Sequence, residues 1–252
     1  MKTGTDNINN SFFNSVYKDV WRMLIPNGLT EAEVDFIIEA AGLQPGDKVL
    51  DIMCGYGRHS IELAKRGVQV TSIDNLKEYI DEINLAVQEQ NLPVMAYQAR
   101  TLEVSLDDTY DAIICMGNSF SFFNKEETTL ILKKLSDHLN PSGILIINSW
   151  MIAEIAVKHF KEKEWYHVGP YKYLLDYKFH FQPSRIESEQ TIVSPDGTVD
   201  VLNGIDYIFS LDELETMFST AGLATKDLFS TPRKRRFVMG DGRIYIVVKK
   251  VS

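Results

Sequence analysis

Two glycines and two acidic residues lie close together in the first third of the chain. Val49 to Met53 is an apolar run of the kind that forms a strand buried on both faces, and the turn Cys54-Gly55-Tyr56-Gly57 follows it directly. Asp51 lies inside this run, and Asp74 ends the next apolar run, about 20 residues after the glycine turn. In βαβ nucleotide-binding units an acid at that place binds ribose hydroxyls. The spacing therefore predicts a cofactor site at this end of the sheet.

The carboxyl group of Asp51 distinguishes between the cofactors that such a unit can bind. A buried carboxylate is costly unless it is hydrogen-bonded or meets a cation, so Asp51 would repel a pyrophosphate but attract an ammonium group. Ser60 occupies the third small position of the dinucleotide fingerprint. The pattern D-x-x-C-G-x-G, with Asp74 following, resembles the cofactor-binding motif of class I S-adenosylmethionine-dependent methyltransferases. The alternatives are an ordinary βα turn with an incidental Asp, or an NAD-dependent oxidoreductase.

This resemblance implies that the chain binds S-adenosylmethionine and releases S-adenosylhomocysteine. The family usually has an acid after the third strand that accepts the adenine amino group, whereas this sequence has Gln98, whose amide oxygen could accept the same bond. The residues that the resemblance places at the cofactor are Asp51, Cys54, Gly55, Tyr56, Gly57, Asp74, Asn75, Gln98, Ala99, Arg100, Met116, Gly117 and Asn118.

The resemblance also places the methyl acceptor beside the segment that follows the fourth strand, Tyr110 to Met116. The candidate acceptor contacts are Tyr17, Trp21, Asn118, Phe122 and Trp150, although aromatic clusters are often core. Tyr17, His59 and His167 are weak candidates for a general base, with His59 better explained as structural. A neutral amine acceptor would need no base. No His, Cys, Asp and Glu cluster has ligand spacing, so no metal is expected.

Strands and helices alternate along the chain as far as Asn148, which is typical of a doubly wound α/β fold. The resemblance implies a Rossmann-like, seven-stranded, mostly parallel sheet with one antiparallel strand. After it, β-forming segments at Tyr171 to Phe181, Arg185 to Val193 and Thr198 to Phe209 predict an inserted antiparallel β meander. This meander is either a lid over the substrate or a dimer contact.

The predicted division of the chain follows from these elements. Residues 1–42 form an N-terminal helical cap that includes an amphipathic helix from Ser11 to Ile25, which either packs on the core or closes over the site. Residues 43–160 and 210–252 form the cofactor-binding core, and residues 161–209 form the insert.

Helix starts are indicated by polar residues that cap the first turn. Thr30 with Glu33, Asn124 with Glu127, and Ser210 with Glu213 have the spacing of capping boxes. Asn75 is also in position to cap the helix after the second strand.

Composition excludes several classes of protein. The chain has 252 residues, 44% hydrophobic and 24% charged, which is the balance of a soluble globular protein. It has no apolar run of about 20 residues and no signal-peptide pattern, so a cytoplasmic protein without a membrane contact is expected. A net charge of −9 disfavours binding to nucleic acid.

The sequence thus predicts a methyltransferase that acts on an oxygen or nitrogen atom of a small molecule. A non-catalytic S-adenosylmethionine-binding regulator and a protein or RNA methyltransferase are the alternatives. The basic run Arg233 to Arg236 is either a solvated loop or a site for an acidic substrate group. A homodimer is possible.

Overall fold

The structure is a computed structural model that describes residues 7–13 and 16–251, and it contains two β-sheets. The larger sheet consists of β1 (Lys48–Ile52), β2 (Gln69–Asp74), β3 (Val94–Gln98), β4 (Tyr110–Cys115), β5 (Leu139–Ser149), β10 (Leu223–Phe229) and β11 (Ile244–Lys250). The smaller sheet consists of β6 (Lys163–Val168), β7 (Tyr171–Phe181), β8 (Ser184–Val193) and β9 (Val199–Tyr207). The helices are α1 (Tyr17–Leu24), α2 (Leu29–Ala41), α3 (Arg58–Lys65), α4 (Lys77–Gln90), α5 (Lys125–Asp137), α6 (Ala153–His159) and α7 (Leu211–Thr220), and short 3-10 turns cover Ile8–Ser11 and Ser119–Phe122.

The larger sheet has the order β10-β11-β5-β4-β1-β2-β3 and is parallel except for β11, which runs antiparallel to both of its neighbours. The predicted seven-stranded sheet with one antiparallel strand is therefore confirmed. From β1 the chain builds β2 and β3 on one side and β4 and β5 on the other, so the strand order reverses between β1 and β4. Ligands bind at such a point, beyond the carboxyl ends of the strands.

Apolar side chains cover both faces of this sheet. Leu50 belongs to the layer that packs under α5, α6 and α7, and its neighbour Val49 belongs to the layer under α2, α3 and α4. Because successive strand residues point to opposite faces, the continuous apolar run in β1 is explained by burial on both sides. Among the described residues, no helix is long and apolar enough to cross a membrane.

Two of the four expected helix caps are wrong. The capping boxes at Asn124 and Ser210 are present, with reciprocal bonds to Glu127 and Glu213. Helix α2 instead begins after Gly28, whose backbone has a left-handed conformation. Glu33 does not cap this helix, because its side chain is buried in a network described below. Helix α4 has no side-chain cap from Asn75, because the carboxylate of the preceding residue, Asp74, accepts the Leu76 N–H at 3.0 Å.

The N-terminal segment packs on the smaller sheet. Helix α1 is shorter than the predicted Ser11 to Ile25, and residues 1–6, 14 and 15 of the predicted cap lie outside the described residues. The Asn9 side chain donates to the Ile205 carbonyl at 2.8 Å and accepts from the Ile205 N–H at 2.9 Å. It thereby occupies the place of a strand partner at the free edge of β9.

The smaller sheet has the order β6-β7-β8-β9, all antiparallel. The three predicted strands correspond to β7, β8 and β9, but the expectation of three strands is wrong because β6 adds a fourth. Trp165, Tyr166 and His167 are consecutive exposed residues of β6, so this edge strand lacks the alternation of buried and exposed residues that is typical of a half-buried strand. The division into cap, core and insert remains a prediction.

A buried carboxylate joins α2, α3 and β11. Glu33 is fully buried, and it accepts from Tyr245 Oη at 2.7 Å and pairs with Arg58 Nη1 at 2.7 Å and His59 Nε2 at 2.9 Å. Burial favours the neutral acid, but the hydrogen bonds from His59 and Tyr245 and the charge of Arg58 outweigh it and lower the pKa of Glu33 to about 2. This network holds the first turn of α3, and with it the glycine turn, against the sheet.

We expect Glu33→Gln to lower the free energy of unfolding by roughly 3 kcal/mol at pH 7, because it leaves the Arg58 charge without a buried partner. Urea denaturation measures this. The pKa of Glu33 is lower in the folded chain than its ordinary 4.5. The difference in free energy of unfolding between Glu33→Gln and wild type is therefore fully present above pH 4.5 and shrinks as the pH falls toward 2. Glu31→Gln, at an exposed position of the same helix, is the control and should change stability by less than about 0.5 kcal/mol. Equal effects of the two substitutions would contradict the assignment.

Candidate functional site

A cavity of about 360 Å³ lies beyond the carboxyl ends of β1 and β4, where the strand order reverses. The turns after β1, β4 and β5 form one side of it, and α1 with strands β6 to β9 forms the other. Its size is that of a small-molecule site. The larger sheet therefore supplies one wall and the smaller sheet covers it.

The glycine turn is fitted to the cavity by two different constraints. Gly55 and Gly57 both have a left-handed backbone, with φ of +56° and +75°. A Cβ at Gly55 would meet no atom within 4 Å, whereas a Cβ at Gly57 would lie 2.6 Å from Ile83 Cγ1. Gly55 thus leaves open space at the cavity, and Gly57 allows α4 to pack against the turn.

Asp51 is almost completely buried at the base of the cavity. Its Oδ2 accepts from Ser60 Oγ at 2.6 Å, and Ser72 Oγ donates to Ser60 Oγ at 2.8 Å. Burial raises the pKa of Asp51 to about 7, although the hydrogen bond from Ser60 acts in the opposite direction. A ligand cation at this position would stabilise the carboxylate, as the sequence motif predicts. This hydrogen bond to Asp51 explains why a polar residue, Ser60, occupies a fully buried position.

Asp74 links the end of β2 to the glycine turn. Its Oδ2 accepts from the Gly55 N–H at 2.9 Å and its Oδ1 accepts from the Leu76 N–H at 3.0 Å. Burial raises the pKa of this carboxyl group, against the effect of its backbone hydrogen bonds. Each carboxylate oxygen accepts more than one bond, so Asp74 can order the turn and still bind a hydroxyl in the cavity.

The predicted cofactor residues fall into two groups. Those that line the cavity are Asp51, Cys54, Gly55, Tyr56, Asp74, Met116, Gly117 and Asn118. Those that are not among its lining residues are Gly57, Asn75, Gln98, Ala99 and Arg100. Gln98 pairs with Asp74 in the sheet and donates to the Asn75 carbonyl at 3.1 Å, so Asn75, Gln98, Ala99 and Arg100 lie around the end of β3, beside the cavity. Gly57 instead ends the glycine turn, directly before α3. Its contact with a cofactor remains a prediction.

The side chain of Asn118 is fully hydrogen-bonded within the protein. Its Oδ1 accepts from Ser149 Oγ at 2.8 Å and from the Trp150 N–H at 3.0 Å. Its Nδ2 donates to Ser121 Oγ at 2.9 Å and to Asp206 Oδ1 at 3.0 Å. These four bonds use both donors and both lone pairs of the amide. In this arrangement Asn118 joins the ends of β4 and β5 to β9 and positions Asp206.

Asp206 is a cavity residue that the sequence analysis missed. Besides the bond from Asn118, its Oδ1 accepts from Ser121 Oγ at 2.5 Å. Burial raises the pKa of Asp206 to about 6, and these two hydrogen bonds only partly offset the effect. None of the ion pairs between described residues includes it. The available signal was strand alternation, which places Asp206 on the same face of β9 as Leu202 and Gly204, which are buried.

Aromatic rings form most of the apolar wall. The predicted acceptor contacts Tyr17, Trp21, Phe122 and Trp150 all line the cavity. Tyr17 stacks on Trp21 with ring centroids 6.5 Å apart, and Trp21 lies 5.9 Å from Trp150. Sequence analysis missed other lining aromatic residues: Phe12, Phe13, Tyr79, Tyr166, Tyr173 and Tyr177.

The candidate bases are not arranged for proton transfer. Burial, with the charge of Asp206 as the next cause, raises the pKa of Tyr17 well above its ordinary value. His59 lines the cavity, but its Nε2 bonds to Glu33 and burial lowers its pKa, as expected of a structural histidine. His167 lies exposed on β6 and is not among the lining residues.

The basic run lies in the exposed loop between β10 and β11. Lys234 pairs with Glu39 at 2.6 Å and Arg235 pairs with Asp241 at 2.5 Å. No residue from Arg233 to Arg236 lines the cavity. Within residues 7–13 and 16–251, no three His, Cys, Asp or Glu side chains are grouped as ligands for a metal ion.

The strand order, the glycine turn and the acids in β1 and at the end of β2 define a class I methyltransferase fold, as the resemblance implied. Residues 49–143, which carry these features, match the family model described as a methyltransferase domain.

Two curated relatives are similar to about half of the chain. It is 32% identical over 136 residues to a glycine/sarcosine N-methyltransferase of Halorhodospira halochloris, covering 52% of this chain and 51% of that protein. It is 30% identical over 125 residues to a ubiquinone biosynthesis O-methyltransferase of Rickettsia typhi, covering 48% of this chain and 50% of that one. The chain thus matches about half the length of these relatives.

A solved structure extends the likeness to the whole fold. The crystal structure of an S-adenosylmethionine-dependent methyltransferase from Clostridium acetobutylicum covers 98% of this chain and 100% of its own, with a TM-score of 0.80. At 17% sequence identity, the shared property is the fold.

We expect Asp206→Asn to raise the free energy of unfolding at pH 7.5 by about 1–3 kcal/mol. The pKa of Asp206 is raised in the folded chain from 3.8 to about 6, so the carboxylate destabilises the fold increasingly as the pH rises through this range. The gain from Asn should therefore disappear as the pH falls toward 4, which urea denaturation across this range measures. Asp176→Asn, at an exposed position of β7, removes a surface pair with Lys163 and should have little effect at either pH. A less stable Asp206→Asn variant at pH 7.5 would contradict this explanation.

Proposed function

We propose that the chain transfers a methyl group from S-adenosylmethionine to an oxygen or nitrogen atom of a small molecule. The observation that carries the proposal is the placement of Asp51 and Asp74 on either side of Gly55, at the switch point of a methyltransferase-type sheet. The methyltransferase-domain match over residues 49–143 covers this same segment. The two relatives described above are named as an N- and an O-methyltransferase, so both acceptor atoms are retained.

The residues present fit this cofactor. Asp51 would hold the ammonium group of the methionine part, and Asp74 would accept hydrogen bonds from the ribose hydroxyls. When bound, the cofactor supplies an electrophilic methyl group on a sulfonium. Tyr17, Trp21 and Trp150 then orient the acceptor and exclude water from it. Such orientation can supply about 7–11 kcal/mol of the barrier.

The covered cavity favours a small acceptor over a macromolecule. Residues of α1 and of strands β6 to β9 line it opposite the glycine turn, so this sheet acts as a lid. A protein or RNA substrate needs a broad, open cleft. A homodimer and a cytoplasmic location stay predictions.

Calorimetric titration with S-adenosylmethionine, S-adenosylhomocysteine and NAD tests the cofactor. Micromolar binding of the first two ligands without binding of NAD is expected. Binding of NAD alone would overturn the proposal in favour of an oxidoreductase. Methyl transfer to an acceptor separates an enzyme from a regulator that only binds the cofactor.

We expect Gly55→Ala to weaken S-adenosylmethionine binding at least about tenfold, which corresponds to about 1.4 kcal/mol. The new methyl group would occupy open space at the cavity without meeting protein atoms. Titration calorimetry gives the affinity. Gly42→Ala is a matched control, because Gly42 also has a left-handed backbone, with φ of +70°, and also has open space around the added Cβ. Both substitutions should destabilise the fold by about 1–2 kcal/mol, but only the first should change the affinity. Equal affinities for the two variants would show that the cofactor lies elsewhere.

A further inference from the structure

We propose that the methyl acceptor is an amine that enters as an ammonium ion, and that the Asp206 carboxylate holds this ion inside the aromatic wall of the cavity. The inference rests on the proposed methyl transfer and names the substrate class for the same site. It depends on the placement of Asp206, on the rings around it and on a second cavity beside it.

Asp206 has one carboxylate oxygen that the protein does not use. Both of its hydrogen bonds, from Ser121 Oγ and from Asn118 Nδ2, end on Oδ1. Among the described residues, none donates a hydrogen bond to Oδ2, and this oxygen is not one of the fully enclosed polar atoms that lack a partner. Asp206 also lines the cavity. Its second oxygen is therefore available to a ligand in the cavity.

A purely structural role does not explain the charge at this position. Asn at position 206 could accept the same two bonds from Ser121 and Asn118 without the cost of a desolvated carboxylate. No Lys, Arg or His among the described residues pairs with Asp206. A bound cation would supply the missing compensation, whereas a neutral hydroxyl acceptor would leave the charge unpaired.

The rings near Asp206 suit the same ion. Tyr17, Tyr173 and Tyr177 line the cavity, and after burial the Asp206 charge is among the causes that raise the pKa of each hydroxyl. These tyrosines are consequently neutral near pH 7, and their rings are available for cation–π contact with an ammonium group. A carboxylate surrounded by aromatic rings binds an organic cation more tightly than a neutral molecule of the same shape.

A second cavity indicates what the amine carries. This cavity of about 240 Å³ shares Trp150, Met151, Glu164 and Tyr177 with the first. Ile155 and Ala156 of α6, together with Phe160 and with Ile186 of β8, give it an apolar side, and its polar lining residues include His159, Lys161 and Glu164. The amine therefore bears an apolar group that extends past Trp150 and Tyr177 into this space.

The reaction at this site balances with one base. The ammonium ion gives a proton to the Asp206 carboxylate, and the neutral amine nitrogen uses its lone pair to form a bond to the methyl carbon. The methyl–sulfur bond breaks and its electron pair stays on sulfur, which becomes a neutral thioether. The product is a methylated ammonium ion, and the proton on Asp206 passes to solvent when the product leaves.

The test compares amines with neutral molecules of the same shape. Benzylamine and cyclohexylamine, with benzyl alcohol and cyclohexanol as their isosteres, are titrated into the full chain saturated with S-adenosylhomocysteine. We expect wild type to bind at least one amine about tenfold or more tightly than its alcohol, and Asp206→Asn to remove this preference. Asp176→Asn should keep it. Mass spectrometry then measures N-methyl product formed from S-adenosylmethionine, which we expect to fall at least about a hundredfold in Asp206→Asn.

The outcomes separate this inference from the proposed function. Unchanged affinity of Asp206→Asn for S-adenosylhomocysteine shows that the variant is folded and that only the acceptor site has changed. Equal binding of amine and alcohol by wild type, binding of neither amine, or an amine preference that persists in Asp206→Asn would overturn the assignment. Methylation of the alcohols alone would overturn it while leaving the methyltransferase proposal intact. Failure to bind S-adenosylhomocysteine at all would instead reject the proposed function.

Discussion

The placement of three carboxyl groups around one cavity, two of them buried and the third, that of Asp206, half-buried, is the constraint on which this structure depends. Asp51, Asp74 and Asp206 line it, and none of the ion pairs between described residues includes any of them. Burial raises the pKa of each group, so each is less stable as a carboxylate than it would be in water. Groups perturbed in this way are concentrated at functional sites, because a ligand supplies the compensation that the protein lacks.

Each carboxyl group is held by hydrogen bonds from neutral groups. Asp51 accepts from Ser60, and Asp74 accepts from the backbone N–H groups of Gly55 and Leu76. Neutral donors fix the position of a carboxylate without neutralising its charge. The paired buried carboxylate, Glu33, lies outside this set and holds α3 in place through Arg58 and His59. The carboxylate that is ion-paired for a structural role is thus a different one from the three that line the cavity, although its partners Arg58 and His59 also line it.

Local sequence was sufficient to predict which residues of the glycine-turn segment lie at the cavity. The glycine turn, Asp51 and Asp74 lie within 24 residues of one another, and their positions follow from strand ends and turn geometry. The capping box at Asn124 is predicted for the same reason, since its partner lies three residues away. The box at Thr30 fails because Glu33 binds groups on α3 and β11, which no local pattern reveals. Asp206 was missed because its partners Ser121 and Asn118 lie 85 and 88 residues away.

The pairing of Asn9 with β9 has a consequence for the kinetics of ligand exchange. Its side chain makes both hydrogen bonds of a neighbouring strand with Ile205, the residue next to Asp206. Asn9 thus closes the edge of the sheet next to the carboxylate that we propose as the acceptor site. Any passage of ligand through this edge requires both bonds to break, so its rate cannot exceed the rate at which Asn9 detaches from β9.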